Sequence, residues 1–202
     1  MNPQIYIPET TPKAKYSYAD YLQWKTEKRI ELIDGVPFEL FPAPSTTHQR
    51  ISRKLSRKTF NFFGEDGCEV FSAPFDVRLT QKSGNDEEVF TVVQPDLCVI
   101  CDKHKIDRKG CLGTPDLVVE ILSPGNSARE KRDKFNVYEK GGVREYWMVD
   151  FREKMVLVYV LNELGKFIGL QPLTEMDILT SSIFPKLEIN LTELFDLPEE
   201  KG

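Results

Sequence analysis

The chain has 202 residues, 40% hydrophobic and 29% charged, which suits one globular domain with a substantial core. Its net charge of -5 excludes a protein that coats nucleic acid non-specifically, but not an enzyme with a local basic face. No run approaches the roughly 20 apolar residues that span a bilayer.

Residues 1–15 read as a loosely ordered, Pro- and Thr-rich arm, and 16–202 as a single domain. The arm lacks the apolar h-region of a signal peptide, so a cytoplasmic chain is expected. Ser17 is a plausible N-cap for a short helix carrying Tyr18, Tyr21 and Leu22 at helical spacing. Ile30 to Ile33 and Val36 to Phe41 flank Asp34-Gly35, a strong hairpin signal. A helix is expected from about His48 to Phe63, closed by Gly64, with a basic face from Arg50 to Lys58. That face could contact phosphates, although such runs are usually only solvated.

Phe71 to Thr80 alternates apolar and polar residues, the pattern of one half-buried strand. Gln81 to Glu88 reads as a polar loop. Two similar phrases follow, Gln94-Pro95-Asp96 before Leu97 to Ile100, and Thr114-Pro115-Asp116 before Leu117 to Leu122, joined by a charged connection. Ser123 to Ser127 breaks the second strand and caps a helix from about Ala128 to Lys140, which Gly141-Gly142 ends. Glu145 to Asp150 is the next strand, giving a βαβ unit. A hairpin near 153–170 and a strand near 186–190 complete the sheet. The order implies an α/β fold: a mixed central sheet flanked by helices, with an extra N-terminal hairpin and C-terminal strands.

Four cysteines, Cys68, Cys98, Cys101 and Cys111, are expected to be free thiols in a cytosolic chain. Cys98, Cys101, His104 and Cys111 superficially resemble a zinc cluster. An extended run across Val99-Ile100 would turn Cys98 and Cys101 to opposite faces, against a zinc knuckle.

Glu120 interrupts the apolar run Val118 to Leu122, and a covered carboxylate is expensive without a cation or donor. Asp96, at the mouth of the neighbouring strand, could join it in holding a divalent metal; the plain alternatives are a strand-entry Asp and a salt-bridged Glu. Lys134 lies on the following helix, where a βα crossover can return it over the sheet; otherwise it belongs to a solvated face. His48, one of two histidines, opens the basic helix and could transfer protons or contact phosphate, or simply be a polar helix-end residue. Glu31 is a possible inward carboxylate or an ordinary strand residue. Asp76 is expected to be solvated or paired with Arg78. There is no Gly-rich phosphate loop, G-x-S-x-G elbow or H-E-x-x-H pair.

With these residues in place, the chain resembles the PD-(D/E)XK nuclease superfamily, and more narrowly the Uma-type restriction endonuclease family. The resemblance rests on Glu31 to Gly35, His48-Gln49-Arg50, Ala73 to Leu79, Gln94-Pro95-Asp96, Pro115 to Pro124 and Gly142 to Asp150, and covers roughly residues 18–190. It implies a restriction-endonuclease-like fold and hydrolysis of DNA, with Asp96 and Glu120 binding magnesium (or manganese). Where the motif has Lys, this chain has Leu122. The resemblance then implies Lys134 as the substitute, Glu31 and His48 as completing residues, and a homodimer for cutting both strands. The alternative is a weak or inactive nuclease-fold module that binds nucleic acid or protein.

Overall fold

A computed structural model describes residues 13–40, 44–64, 67–80, 84–123 and 128–198. The arm up to residue 12, the Phe41 end of the hairpin with Pro42 and Ala43, Glu65-Asp66, Gln81 to Ser83 and the 124–127 turn lie outside the described residues.

Helix α1 (Tyr18–Tyr21) is closed at its start by a capping box between Ser17 and Asp20. Strands β1 (Ile30–Ile33) and β2 (Val36–Glu39) pair antiparallel across Asp34 and Gly35, which both take positive φ, as a tight hairpin turn needs. Helix α2 (Thr46–Phe63) starts slightly earlier than expected, because the Ser45 side chain caps it by accepting from His48 N.

The expected strand from Phe71 to Thr80 is two strands in different sheets. β3 (Glu69–Ser72) ends before Pro74, and β4 (Val77–Arg78) begins after it. Proline has no amide N–H to give to a ladder, so the chain leaves one sheet there and enters another. The apolar alternation survives the break, since Phe71 and Phe75 stack with ring centroids 4.1 Å apart.

Strands β5 (Val92–Val93) and β6 (Leu97–Ile100) follow. The expected charged connection contains a small hairpin, β7 (Ile106–Asp107) and β8 (Gly110–Leu112). Gly110 has φ 120°, and a Cβ there would lie 2.2 Å from the Asp76 carbonyl oxygen, so only glycine fits. The rest comprises β9 (Leu117–Ile121), α3 (Ala128–Gly141), β10 (Glu145–Asp150), β11 (Met155–Leu161), β12 (Phe167–Gly169), β13 (Leu173–Thr174), β14 (Ile178–Thr180), β15 (Glu188–Asn190) and α4 (Leu191–Phe195).

The seven-stranded sheet runs β12-β11-β10-β9-β6-β3, with β13 also on β11; the six-stranded sheet runs β2-β1-β5-β4-β8-β7. The last expected strand does not join the central sheet, because β15 pairs with β14 alone. β9 and β10 are parallel, joined through α3, as the βαβ reading requires.

Period-two alternation divides the core. Leu117, Val119, Trp147 and Val149 pack with Ile51 and Leu55 of α2 and Leu191 and Leu194 of α4. Val118, Tyr146 and Met148 face the other way, with Val137 and Tyr138 of α3. Glu120 is on this second face, two residues beyond Val118, so the strand periodicity delivers its side chain to α3.

The cysteine expectation is corrected. Cys68 and Cys101 form a disulfide, while Cys98 and Cys111 are free and buried. The β3–β6 register pairs Glu69 with Ile100, and one further step sets Cys68 opposite Cys101. The two residues are 33 apart in sequence, so only the strand pairing reveals the match.

Candidate active site

Asp96 and Glu120 meet across the antiparallel β6–β9 pair. Leu97 is opposite Val119, so the next step outward sets Asp96 opposite Glu120. Directly opposed residues have Cβ atoms about 4.5–5.5 Å apart. Asp96 Oδ2 also accepts from the backbone N–H of Ile121, the residue after Glu120, at 2.8 Å. The carboxylates therefore share one end of the central sheet.

Lys134 crosses back from α3 to reach them. Its ammonium donates to Glu120 Oε1 at 3.0 Å and to Glu31 Oε1 at 2.5 Å. Tyr138, one helical turn further, donates its hydroxyl to the same Glu120 oxygen. Glu31 arrives from the other sheet: β1 pairs with β5 at Leu32 and Val92, which lets Gln94 N donate to Glu31 Oε1 at 2.6 Å. His48, in the first turn of α2, sets Nε2 3.2 Å from Asp96 Oδ2. The five residues selected from the sequence thus form two hydrogen-bonded groups, His48 with Asp96 and Lys134 with Glu120 and Glu31, brought side by side where Asp96 opposes Glu120.

Tyr138 and Gln94 escaped the sequence reading. The signal for Tyr138 was its position four residues after Lys134 on one helix face. Gln94 left no local signal, because its role depends on the β1–β5 pairing.

Burial pushes the Glu120 carboxyl up to about 7; Lys134 opposes the rise, Asp96 and Glu31 add to it, and the Tyr138 hydrogen bond opposes it. Burial would lower the pKa of the Lys134 ammonium, but Glu120 and Glu31 together hold it above the ordinary lysine value. Tyr138 is raised well above the usual phenol range by burial first and the Glu120 charge second.

Each carboxylate has one oxygen held by two donors. Asp96 Oδ2 takes His48 and Ile121 N; Glu120 Oε1 takes Lys134 and Tyr138; Glu31 Oε1 takes Lys134 and Gln94 N. Asp96 Oδ1 and Glu120 Oε2 accept nothing from the described residues. Their side chains are 17% and 15% exposed, so neither carboxylate is wholly sealed from solvent. The oxygen-only, like-charged pair fits a hard divalent cation, which needs one or two carboxylates and keeps several waters. Among the described residues no group of three or more His, Cys, Asp or Glu side chains is arranged to hold a metal. That includes the Cys98, Cys101, His104, Cys111 series, since Cys101 is bonded to Cys68 and Cys98 is buried in the core.

Other candidates take structural roles. Asp116 accepts from Cys101 N and from Arg144, each at 2.9 Å, and punctuates its strand entry. Asp76 is neither solvated nor paired with Arg78: it accepts from Tyr18 OH and Gln94 Nε2, each at 2.8 Å, while Arg78 turns to Asp107 and Asp86. The basic face of α2 is largely engaged within the chain. Lys54 donates to the Glu193 and Asp196 carbonyls, each at 2.6 Å, Lys58 pairs with Glu193, and Arg50 reaches the Pro198 carbonyl.

The sequence model of the Uma2 family, described as "Putative restriction endonuclease", matches residues 18–192. The chain belongs to the Uma2 family. Within 18–192 lie Glu31, His48, Asp96, Glu120, Lys134 and Tyr138. Two Synechocystis sp. proteins are similar to this Uma2 chain, both bearing the description "Uncharacterized protein". The protein slr1290 is 28% identical over 164 residues, covering 79% of this chain and 81% of its own. The protein sll1609 is 28% identical over 137 residues, covering 65% and 73%. A crystal structure from Anabaena variabilis, described as a putative nuclease belonging to DUF820, superposes with TM-score 0.66 at 21% identity. It covers 89% of this chain and 97% of its own, which shows the shared fold. No helix among the described residues is long and apolar enough to cross a membrane.

Proposed function

We propose that this chain is a metal-dependent endonuclease that hydrolyses DNA phosphodiester bonds. Asp96 and Glu120 would hold a magnesium ion (or manganese), Lys134 is the catalytic cation, and Glu31 and His48 complete the site. The observation that carries this reading is the opposition of Asp96 and Glu120 on neighbouring antiparallel strands, with the Lys134 ammonium delivered to Glu120 from α3. A divalent ion bound there supplies Lewis acidity toward the phosphoryl oxygen and lowers the pKa of a bound water.

The chain's own residues prepare the rest. Lys134 sits in a site where burial strengthens its field, and its two glutamate partners keep it protonated. That charge offsets the negative charge developing on a transferring phosphoryl group and orients an attacking water. Glu31 anchors the ammonium from the second sheet, itself fixed by Gln94 N. His48 and Ile121 N hold Asp96 Oδ2, which leaves Oδ1 for the metal. Lysine thereby supplies from the helix what Leu122 cannot supply from the strand. Cleavage of both strands of a duplex would engage two copies related by a two-fold axis.

Incubation of supercoiled plasmid with the purified protein and magnesium tests the reading. Nicking by the parent, lost on chelation and reduced at least about a hundredfold in Asp96→Ala and Glu120→Gln, is the expected result. Equal nicking by parent and Asp96→Ala would assign the activity to a contaminant. Absence of nicking in the parent under any divalent metal would leave the non-catalytic nuclease-fold module as the better description.

A further inference from the structure

We propose that Tyr138 is a positioning residue for Glu120: its hydroxyl and the Lys134 ammonium together saturate Oε1, so that Oε2 alone is offered to a divalent cation. The inference rests on the metal-dependent reading of the site above.

The last torsion of a glutamate side chain is broad and nearly two-fold, so a carboxylate held by one donor swings easily. Two donors on one oxygen remove that freedom. Lys134 alone is a poor second anchor, because its ammonium is shared with Glu31, which it meets at 2.5 Å against 3.0 Å for Glu120. Among the described residues the Tyr138 hydroxyl donates to Glu120 and has no competing acceptor. The ring is also rigidly seated. Tyr138 is fully buried in the core between α3 and the sheet, its centroid is 5.0 Å from that of Tyr146, and the Lys134 ammonium lies 5.8 Å from its own. A buried phenol that made no such bond would leave its hydroxyl unsatisfied, so apolar packing alone would favour phenylalanine. The same device recurs at Asp96, where His48 and Ile121 N share Oδ2, and at Glu31, where Gln94 N and Lys134 share Oε1. Tyr138 completes the set for Glu120, the carboxylate followed two residues later by Leu122 instead of the motif lysine.

Tyr138→Phe keeps the ring and deletes only the donor. The test is a Mn2+ titration of the full chain without DNA, following free Mn2+ by electron paramagnetic resonance, on the parent, Tyr138→Phe, Glu120→Gln and the control Tyr159→Phe. Loss of an outer partner to a metal ligand typically weakens binding about 10–100-fold, which is expected for Tyr138→Phe and not for Tyr159→Phe. In plasmid nicking the same variant should need about 10–100-fold more magnesium for half-saturation, with the rate at saturating metal close to the parent's. Parent-like Mn2+ affinity in Tyr138→Phe, with Glu120→Gln impaired, overturns the positioning role and leaves the metal reading intact. Parent-like affinity in Glu120→Gln overturns both. Should Tyr138→Phe fail to fold, the chain carrying 3-fluorotyrosine at position 138 replaces it: its fluorine resonance should move in step with Mg2+ saturation, and an unmoved resonance overturns the proposal.

Discussion

Replacing Lys134 by methionine tests whether the ammonium is the counter-charge of the buried carboxylates. Lys134 is 6% exposed and pairs with Glu31, 2% exposed, and with Glu120. Methionine preserves the aliphatic stem but leaves two buried acids facing one another. Breaking a buried pair by removing one partner costs about 3–5 kcal/mol. The size of that cost depends on pH. In the parent, Glu120 lies near 7, above its ordinary value of 4.5. A group whose folded pKa exceeds its unfolded one contributes stability that is complete below the unfolded value and lost as pH rises through the folded value. Lys134 holds the Glu120 pKa down, so its removal shifts the folded value further up and extends the loss beyond pH 7. The penalty should therefore be larger near pH 8 than near pH 6, within the about 3–5 kcal/mol expected for a broken buried pair. Urea denaturation in metal-free buffer at the two pH values measures both. Equal penalties, or one under about 1 kcal/mol at the higher pH, would refute the pairing logic.

Two structural predictions concern contacts remote from the Asp96 and Glu120 carboxylates. Reduction of the Cys68–Cys101 disulfide, which closes a separation of 33 residues, should lower stability by about 3–4 kcal/mol on chain-entropy grounds, measured by urea denaturation with and without reductant. An unchanged midpoint would mean that the bond does not restrain the unfolded chain. Glu145 is fully buried and accepts from Trp147 Nε1 at 2.6 Å and from Ser181 Oγ and Ile183 N at 2.9 Å. Glu145→Ala strands these buried donors, at about 1–3 kcal/mol each. Thermal denaturation followed by Trp147 fluorescence should report a total loss above about 3 kcal/mol, and a smaller loss would show that the segment around Ser181 relaxes to satisfy them.

Much of this protein was legible in its sequence because the relevant rules are local. Asp34-Gly35 specified a hairpin, Gly64 closed α2, and the apolar run around Glu120 marked a covered strand with one costly carboxylate. Asp96, Glu120 and Lys134, the last in place of the lysine missing at Leu122, were read as a set only through the resemblance to the nuclease family. Strand periodicity even chose the face on which Glu120 would meet α3. Where sequence reasoning failed, the deciding interaction joined residues far apart. Phe71 to Thr80 read as one strand, but the chain passes between two sheets at Pro74. Cys68 found Cys101 only through the β3–β6 register. The cations of α2 looked available until the C-terminal segment folded back onto Lys54 and Lys58. Side-chain chemistry and short-range periodicity marked Glu120 as a covered carboxylate and Asp96 as a candidate beside it, while Lys134, Glu31 and His48 were singled out through the family resemblance. Only tertiary structure decided that Glu31 would cross from another sheet to share Lys134, and that Tyr138 would join Lys134 on one oxygen of Glu120, because both depend on pairings and packing that no local pattern encodes.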